Sequence, residues 1–314
     1  MAGILVIFDF DNTIIDCDSD NWVVDELGFN QLYNELLPTM PWNSLMVYFN
    51  SLCVSSLLAS FCFSVSILYT QGRINGVVKE LDRLMQELHS HGITIKQIED
   101  CLKRAPLHPR IIAAIKSAHS FGCELRIVSD ANPFFIETIL KHHGLIDYFS
   151  EIITNPSFIN EEGRLRICPY HDFTSSPHGC NLCPPNLCKG LVIEIIQASE
   201  FAEGEKRFIY LGDGKGDYCP SLKFGEGDRV MPRKHFPLWD LMCNNPLLWK
   251  AEVHEWSSGE ELERVLLDLI NMITIEEGSN TNSAQLISGD CKFQTIPVSS
   301  HESLSQSSLS RVTT

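Results

Sequence analysis

The stretch Ile4-Leu5-Val6-Ile7-Phe8-Asp9-Phe10-Asp11-Asn12-Thr13 decides how this chain is read. Its opening apolar run has the character of a strand buried on both faces. The run ends in two carboxylates, Asp9 and Asp11, spaced i and i+2. In an extended segment that spacing points both side chains to the same side. Two carboxylates at the end of a buried strand repel unless a cation lies between them or one stays protonated. The carboxyl ends of strands are where open α/β sheets bind ligands. Mg²⁺ suits such a place, because it favours one or two carboxylates together with water and phosphate oxygens. The competing reading is that the pair only caps a following helix.

Moving outward, strands alternate with helices from residue 123 onward. The segment 124–130 reads as a strand ending in Ser129 and Asp130, and 134–143 as a helix stopped by Gly144. A short strand covers 151–154, and 160–163 is a turn between short strands. Residues 191–200 read as a helix, and 207–213 as a strand that again ends in an acid, Asp213. Residues 260–270 form a last amphipathic helix. The alternation predicts an α/β fold with a doubly wound parallel sheet. From 276 the chain turns Ser/Thr-rich and loses periodicity, so 276–314 is expected to be a disordered tail.

Between the first strand and the second lies helical patterning: 21–37 with a break at Gly28, 93–102, and then 110–120 beyond Pro106 and Pro109. The core is expected to comprise 1–15 and 110–275, with 16–109 as a helical cap over the carboxyl end of the sheet. Such a cap excludes water from the reaction. Within it, 47–70 runs for 24 residues without a charge, long enough to span a bilayer but interspersed with six serines.

Composition narrows the partners. A chain of 314 residues with 44% hydrophobic content can bury a full core. A net charge of -16 argues against nucleic acid or an anionic membrane surface as the main partner. It leaves a small anionic substrate open, since a bound cation can invert the local potential. The N-terminus has no basic leader, and twelve cysteines without one suggest reduced thiols in a cytoplasmic protein. Oligomeric state has no signature.

The stretch FDFDNTIID resembles the first motif of the haloacid dehalogenase superfamily of phosphohydrolases. Three further motifs follow in the superfamily's order: Ser129 ending LRIVS, Lys189 in LCKG, and Asp213 with Asp217 in GDGKGD. The resemblance implies a Rossmannoid core and a Mg²⁺-dependent phosphatase. In it Asp9 attacks phosphorus as the nucleophile and Asp11 serves as acid and then base. Thr13, Ser129 and Lys189 would hold the phosphate. Mg²⁺ would lie on the Asp9 carboxylate, the Asp11 carbonyl and Asp213, with Asp217 orienting its waters or ligating directly.

The segments FDFDNTIIDCDSDNWVV, IVSDAN, HGCNLCPPNLCKG and GDGKGDYCPSLK narrow the likeness to one subfamily. It holds phosphoethanolamine/phosphocholine phosphatases, a pyridoxal phosphate phosphatase and plant phosphate-starvation phosphatases, some assigned as inorganic pyrophosphatases. LPTMPWNSLM and MPRKHFPLWDL are most similar to the plant members. The likeness implies that Asp20 and Asp130 face the leaving group and can pair with an ammonium. The residue-level alternative makes Asp20 the cap of a helix starting near Asn21.

Two further features carry readings of their own. Cys180-x2-Cys183-x4-Cys188, with Cys168 and His178 nearby, carries ligand types suited to Zn²⁺ but lacks a second C-x2-C pair; buried or redox-sensitive thiols are the alternative. Residues 47–81 interrupt the subfamily pattern between LM at 45–46 and DRLMQEL at 82–88. An uncharged, in-frame insert of this kind has the character of retained intron sequence or an alternative gene model. It admits a second class of function: a catalytically impaired isoform that only binds partners or associates with membranes. Intact motifs favour the enzyme, and make a membrane association through 47–70 the weaker reading.

Overall fold

A computed structural model describes residues 3–29, 77–172, 177–203 and 206–287. Strand β1 (Ile4–Phe8) is buried along its whole length. Its residues alternate between two separate apolar clusters: Ile4, Val6 and Phe8 face one, Leu5 and Ile7 the other. A strand packed on both faces must be central and must be covered on each side.

That is where β1 lies. It pairs in parallel with β2 (Glu124–Val128) on one side and with β6 (Arg207–Gly212) on the other. The sheet runs β3-β2-β1-β6-β7-β8, adding β3 (Glu151–Ile153), β7 (Arg229–Pro232) and β8 (Glu252–Val253), with every pairing parallel. After β1 the chain moves to one side through β2 and β3, and β6 to β8 fill the other. The order therefore reverses between β1 and β6. Loops leaving the carboxyl ends of those two strands diverge there and open a crevice.

Three helices of the described residues fall in the segment expected to form the cap: α1 (Ser19–Glu26), α2 (Val77–Ser90) and α3 (Ile95–Leu102). Their starts have local causes. Asp18 accepts from Asn21 N at 2.9 Å to cap α1. Thr94 and Gln97 form a capping box on α3. Trp22 Nε1 donates to Cys101 O at 3.2 Å and joins α1 to α3.

The flanking helices are α4 (Pro109–Ser120), α5 (Pro133–His142), α6 (Lys189–Glu203), the short α7 (Tyr218–Ser221), α8 (Pro237–Asn244) and α9 (Gly259–Ile287). Proline occupies the first turn of α4, α5 and α8, where its missing N–H costs nothing. Side chains of α4, α5 and α9 pack into the cluster facing Val6, and those of α6 and α8 into the cluster facing Ile7. The sheet is doubly wound, as the alternation predicts. A hairpin of β4 (Ser157–Ile159) and β5 (Leu165–Ile167) stands apart from it, joined through the turn expected at 160–163.

Three boundaries move. The last helix runs Gly259–Ile287 and so overruns the tail boundary drawn at 276. Ile270 and Ile273 are buried, and Thr274 Oγ1 donates to Ile270 O at 2.8 Å, so packing carries the helix beyond its clear periodicity. The insert boundary drawn at 81 is also too late. Helix α2 begins at Val77, and Leu81 is buried in the same cluster as Leu84, Met85 and Leu88. The helix read over 21–37 starts earlier, at Ser19, and stops before Gly28, whose φ of 79° suits glycine. Among the described residues no helix is long and apolar enough to cross a membrane. The run 47–70 and residues 288–314 lie outside those residues.

Candidate active site

Strand ends build the site. Asp9 follows β1, and its N–H donates to Leu211 O at 2.8 Å, carrying the β1–β6 pairing one residue past the strand. Asp213 follows β6, and Ser129 follows β2, where its N–H donates to Ile153 O. Parallel strands in register thus bring Asp9, Ser129 and Asp213 to one edge of the sheet, all buried.

Lys189, the first residue of α6, enters from the other wall. Its Nζ lies 2.9 Å from Asp9 Oδ1, 2.9 Å from Asp217 Oδ1 and 3.9 Å from Asp130 Oδ1. Asp217 is saturated. Its Oδ1 also accepts from Tyr210 OH at 2.6 Å, and its Oδ2 accepts from Asp213 N at 3.1 Å and Gly214 N at 2.9 Å. Gly212 permits this packing, because a Cβ there would come within 2.5 Å of Asp217 Cγ. Asp9, Asp213 and Asp217 each offer a carboxylate oxygen, all within 4.8 Å of one another.

The charges are strained by burial. Desolvation, then the Asp217 charge, push the Asp9 carboxyl well above its ordinary range, while Lys189 pulls it down. Asp213 is raised in the same way, by burial and then Asp217. Burial also works against the ionised Asp217, but Lys189, Tyr210 and the backbone donors outweigh it and hold that carboxyl low. Desolvation opposes the Lys189 ammonium, yet Asp217, Asp9 and Asp130 keep it firmly charged. One lysine faces three buried carboxylates, and an oxygen-loving divalent cation fits the remaining deficit.

Asp11 departs from its expected placement. Residues 11–14 turn, with Asn12 at a φ of 52°, so the extended geometry that would align Asp9 and Asp11 is lost. The Asp11 carboxylate lies outside the three-carboxylate group and accepts from Ser19 N and Ser19 Oγ, both at 3.1 Å. Burial, followed by Asp18, Asp20, Asp9 and Asp130, raises its carboxyl well above the ordinary value. Thr13 Oγ1 donates to Asp213 Oδ1 at 3.4 Å, and Ser129 Oγ accepts from Ala131 N at 3.4 Å.

Around Asp11 stands a ring of acids. Since Asp18 supplies the cap of α1, the capping alternative for Asp20 fails: Asp20 lies in the first turn, and its Oδ1 is buried with no hydrogen-bond partner. Burial, then Asp18 and Asp130, push its carboxyl well up. Asp130 keeps 48% of its side chain exposed.

Sequence reasoning missed Asp18, Tyr210 and Arg233. The Arg233 guanidinium donates to Asn12 O at 2.7 Å and to Asp16 Oδ1 at 2.5 Å, clamping the turn that carries Asp11. Only MPRKHF hinted at it. Tyr210 gave no local signal, because on a strand it reads as core.

The cysteine cluster has changed membership. Cys180, Cys183 and Cys188 are joined by Cys219, while Cys168 lies outside the group. His178 is committed elsewhere: Nδ1 accepts from Cys180 N at 3.0 Å, and Nε2 lies 2.9 Å from Pro184 O.

Known proteins bear on this arrangement. The family model described as "Putative Phosphatase" matches residues 4–53 and 68–270. The chain is 53% identical over 292 residues to "Inorganic pyrophosphatase 2" of Arabidopsis thaliana, covering 93% of this chain and 92% of that one. It is 51% identical to "Thiamine phosphate phosphatase-like protein" of the same plant, over 89% of this chain and 100% of that one. Among solved structures, a probable phosphoserine phosphatase from Vibrio cholerae has the same fold, with a TM-score of 0.51 at 13% identity, covering 87% of this chain and 67% of that one.

Proposed function

The chain belongs to this phosphatase family, and from that premise we propose that it is a Mg²⁺-dependent hydrolase of small phosphomonoesters, working through an aspartyl-phosphate. The observation that carries the reading is the buried contact of Lys189 with both Asp9 and Asp217, beside Asp213. It supports a reading in which Asp9 is the nucleophile, Lys189 neutralises phosphate charge, and Asp9 with Asp213 ligates the metal. Mg²⁺ would be held by Asp9, Asp213 and the Asp11 carbonyl, and would neutralise phosphate charge there.

The residues divide the work. An Asp9 oxygen bonds to phosphorus as the bond to the leaving oxygen breaks. Asp11, whose carboxyl burial raises, gives a proton to that oxygen and later takes one from the water that attacks the aspartyl-phosphate. Lys189, with the Ser129 and Thr13 hydroxyls, orients the phosphate, and Asp217 with Tyr210 holds Lys189. Phosphoryl transfer asks mainly for positioning and charge stabilisation, which these groups supply.

The ring of Asp11, Asp18, Asp20 and Asp130 favours a leaving group that carries a cation, such as the ammonium of phosphoethanolamine or phosphocholine. The thiazolium in the substrate of the thiamine-phosphate relative's name is of the same charge class. A second reading, hydrolysis of pyrophosphate, is favoured by the name of the relative at 53% identity. Pyridoxal phosphate, which appears in the names of relatives at 27–28% identity, is a third candidate. A reducing, cytoplasmic setting fits the free cysteines of the described residues.

Phosphate release with Mg²⁺ from phosphoethanolamine, phosphocholine, pyrophosphate and pyridoxal phosphate is the test, on wild type and on Asp9→Asn. Turnover of at least one, and its loss in a folded Asp9→Asn protein, is the expected result. Asp9→Asn retaining more than about a hundredth of wild-type kcat would sink the covalent route, since removing a nucleophile costs several powers of ten. Preference for pyrophosphate would select the second reading.

A further inference from the structure

We propose that Cys180, Cys183, Cys188 and Cys219 form a closed Zn²⁺ site that staples the loop before Lys189 to the turn after Asp217. Three of the four sulfurs come from one loop and the fourth from α7, 31 positions beyond Cys188 in sequence. All four lie within 4.8 Å of one another. Cys183, Cys188 and Cys219 are buried, with Cys180 and Leu191 packed against them.

The spacing is that of ligands, not of a disulfide. Cys180 Sγ and Cys219 Sγ are 3.7 Å apart, whereas a disulfide holds its sulfurs about 2.05 Å apart. A tetrahedron with Zn–S bonds of about 2.3 Å has sulfur–sulfur edges of about 3.8 Å. Four protein sulfurs leave no open position, which is the mark of a structural rather than a catalytic zinc. Thiolates suit Zn²⁺ and not Mg²⁺, so this group and the carboxylates of Asp9 and Asp213 select different metals.

Backbone donors meet two of the sulfurs. Leu182 N donates to Cys180 Sγ and Leu191 N to Cys188 Sγ, each at 3.4 Å. Backbone donors of this kind orient the ligands and offset their charge. Cys188 directly precedes α6, whose amino terminus favours negative charge. Gly190 keeps the space clear, since a Cβ there would meet Cys219 Sγ at 2.4 Å. His178 fastens the loop through its bonds to Cys180 N and Pro184 O without entering the cluster. On binding, the four thiols release their protons to solvent.

The consequence is positional. Cys188 neighbours Lys189, and Cys219 lies two residues after Asp217, so the metal fixes the backbones on either side of the Lys189–Asp217 ion pair. Zinc here would act through those residues and touch no substrate.

Elemental analysis of full-length protein, purified in reductant without chelator, is expected to find one Zn²⁺ per chain. Replacement by Co²⁺ should give the intense visible bands and sulfur-to-cobalt charge transfer of a tetrahedral thiolate site. Cys219→Ser should lose both signals, while Cys168→Ser, Cys243→Ser and Asp213→Asn keep them. Should Cys219→Ser fail to fold, the native protein still decides, because titrating its thiols with a mercurial must release Zn²⁺ in step. Metal-free native protein, a disulfide among these cysteines, or full Zn²⁺ retention in Cys219→Ser would overturn the proposal.

Discussion

At Asp20 a single carboxylate sets a cost in stability against a role in recognition. Burial raises its carboxyl, so the folded state holds that proton more tightly than the unfolded chain does. The stability it contributes is whole below the unfolded value of about 3.9 and is lost as pH rises through the raised folded value. At neutral pH the buried, unpartnered oxygen should cost about 1–3 kcal/mol. Asp20→Asn is therefore expected to raise the melting temperature at pH 7 and to give no gain below about pH 3.9. The same variant should lower kcat/KM for phosphoethanolamine on the order of tenfold and leave pyrophosphate hydrolysis nearly unchanged. Equal loss on both substrates would mean that Asp20 serves the acid–base carboxyl and not the leaving group.

Among elements, the junction of the cap with the β4–β5 hairpin depends on Asp82 of α2. Its Oδ1 accepts from Arg166 Nε at 2.8 Å and Ile167 N at 3.0 Å, and its Oδ2 from Arg164 at 3.5 Å. Arg164 is mostly buried, so removing its partner strands a charge. Asp82→Ala should destabilise by about 2–4 kcal/mol in urea unfolding, from the lost hydrogen bonds and the stranded arginine. Arg166→Ala, at a more exposed pair, should cost under about 1 kcal/mol. An unchanged urea midpoint for Asp82→Ala would show that the hairpin does not secure the cap. Helices with clear caps or prolines, such as α3, α4 and α5, were legible in sequence within two residues at each end. Helix α2 was not, because the uncharged run before it hid where the family pattern resumes.

For the molecule as a whole, the decisive distance is the 2.9 Å between Lys189 Nζ and Asp9 Oδ1. Asp9 precedes the apolar run at 47–70 and Lys189 follows it. A single membrane crossing there would hold the two groups on opposite sides of a hydrocarbon layer about 30 Å thick. A single crossing and this contact exclude each other, unless the run re-enters and leaves by the same face. The family match breaks only over 54–67, inside the segment read as an insert. Deleting 54–67 is expected to preserve phosphate release and raise the soluble fraction, because an uncharged run of this length is an adhesive surface when exposed. Deleting 47–81 also removes Leu81 from the core and should cost about 2–5 kcal/mol. Loss of both activity and solubility in the 54–67 deletion would make that run an integral part of the cap.

By itself the sequence determined the parallel sheet and the identity of Asp9, Lys189, Asp213 and Asp217 as one constellation. The sheet follows from a local pattern: a buried apolar run, a polar residue where it stops, a helix after it. The grouping of the four residues follows instead from their resemblance, in order, to the superfamily's motifs. The direction of the Asp11 side chain, the Tyr210 bond to Asp217, the Arg233 clamp on the Asn12 carbonyl and the entry of Cys219 into the cysteine cluster were decided by tertiary structure alone. A strand period says that Tyr210 is buried, but not which carboxylate its hydroxyl meets. Cys219 looks like a lone thiol until α7 folds against the start of α6. Contacts across long stretches of chain leave no periodicity or spacing in the sequence, because the fold sets their geometry and neither partner's neighbours record it.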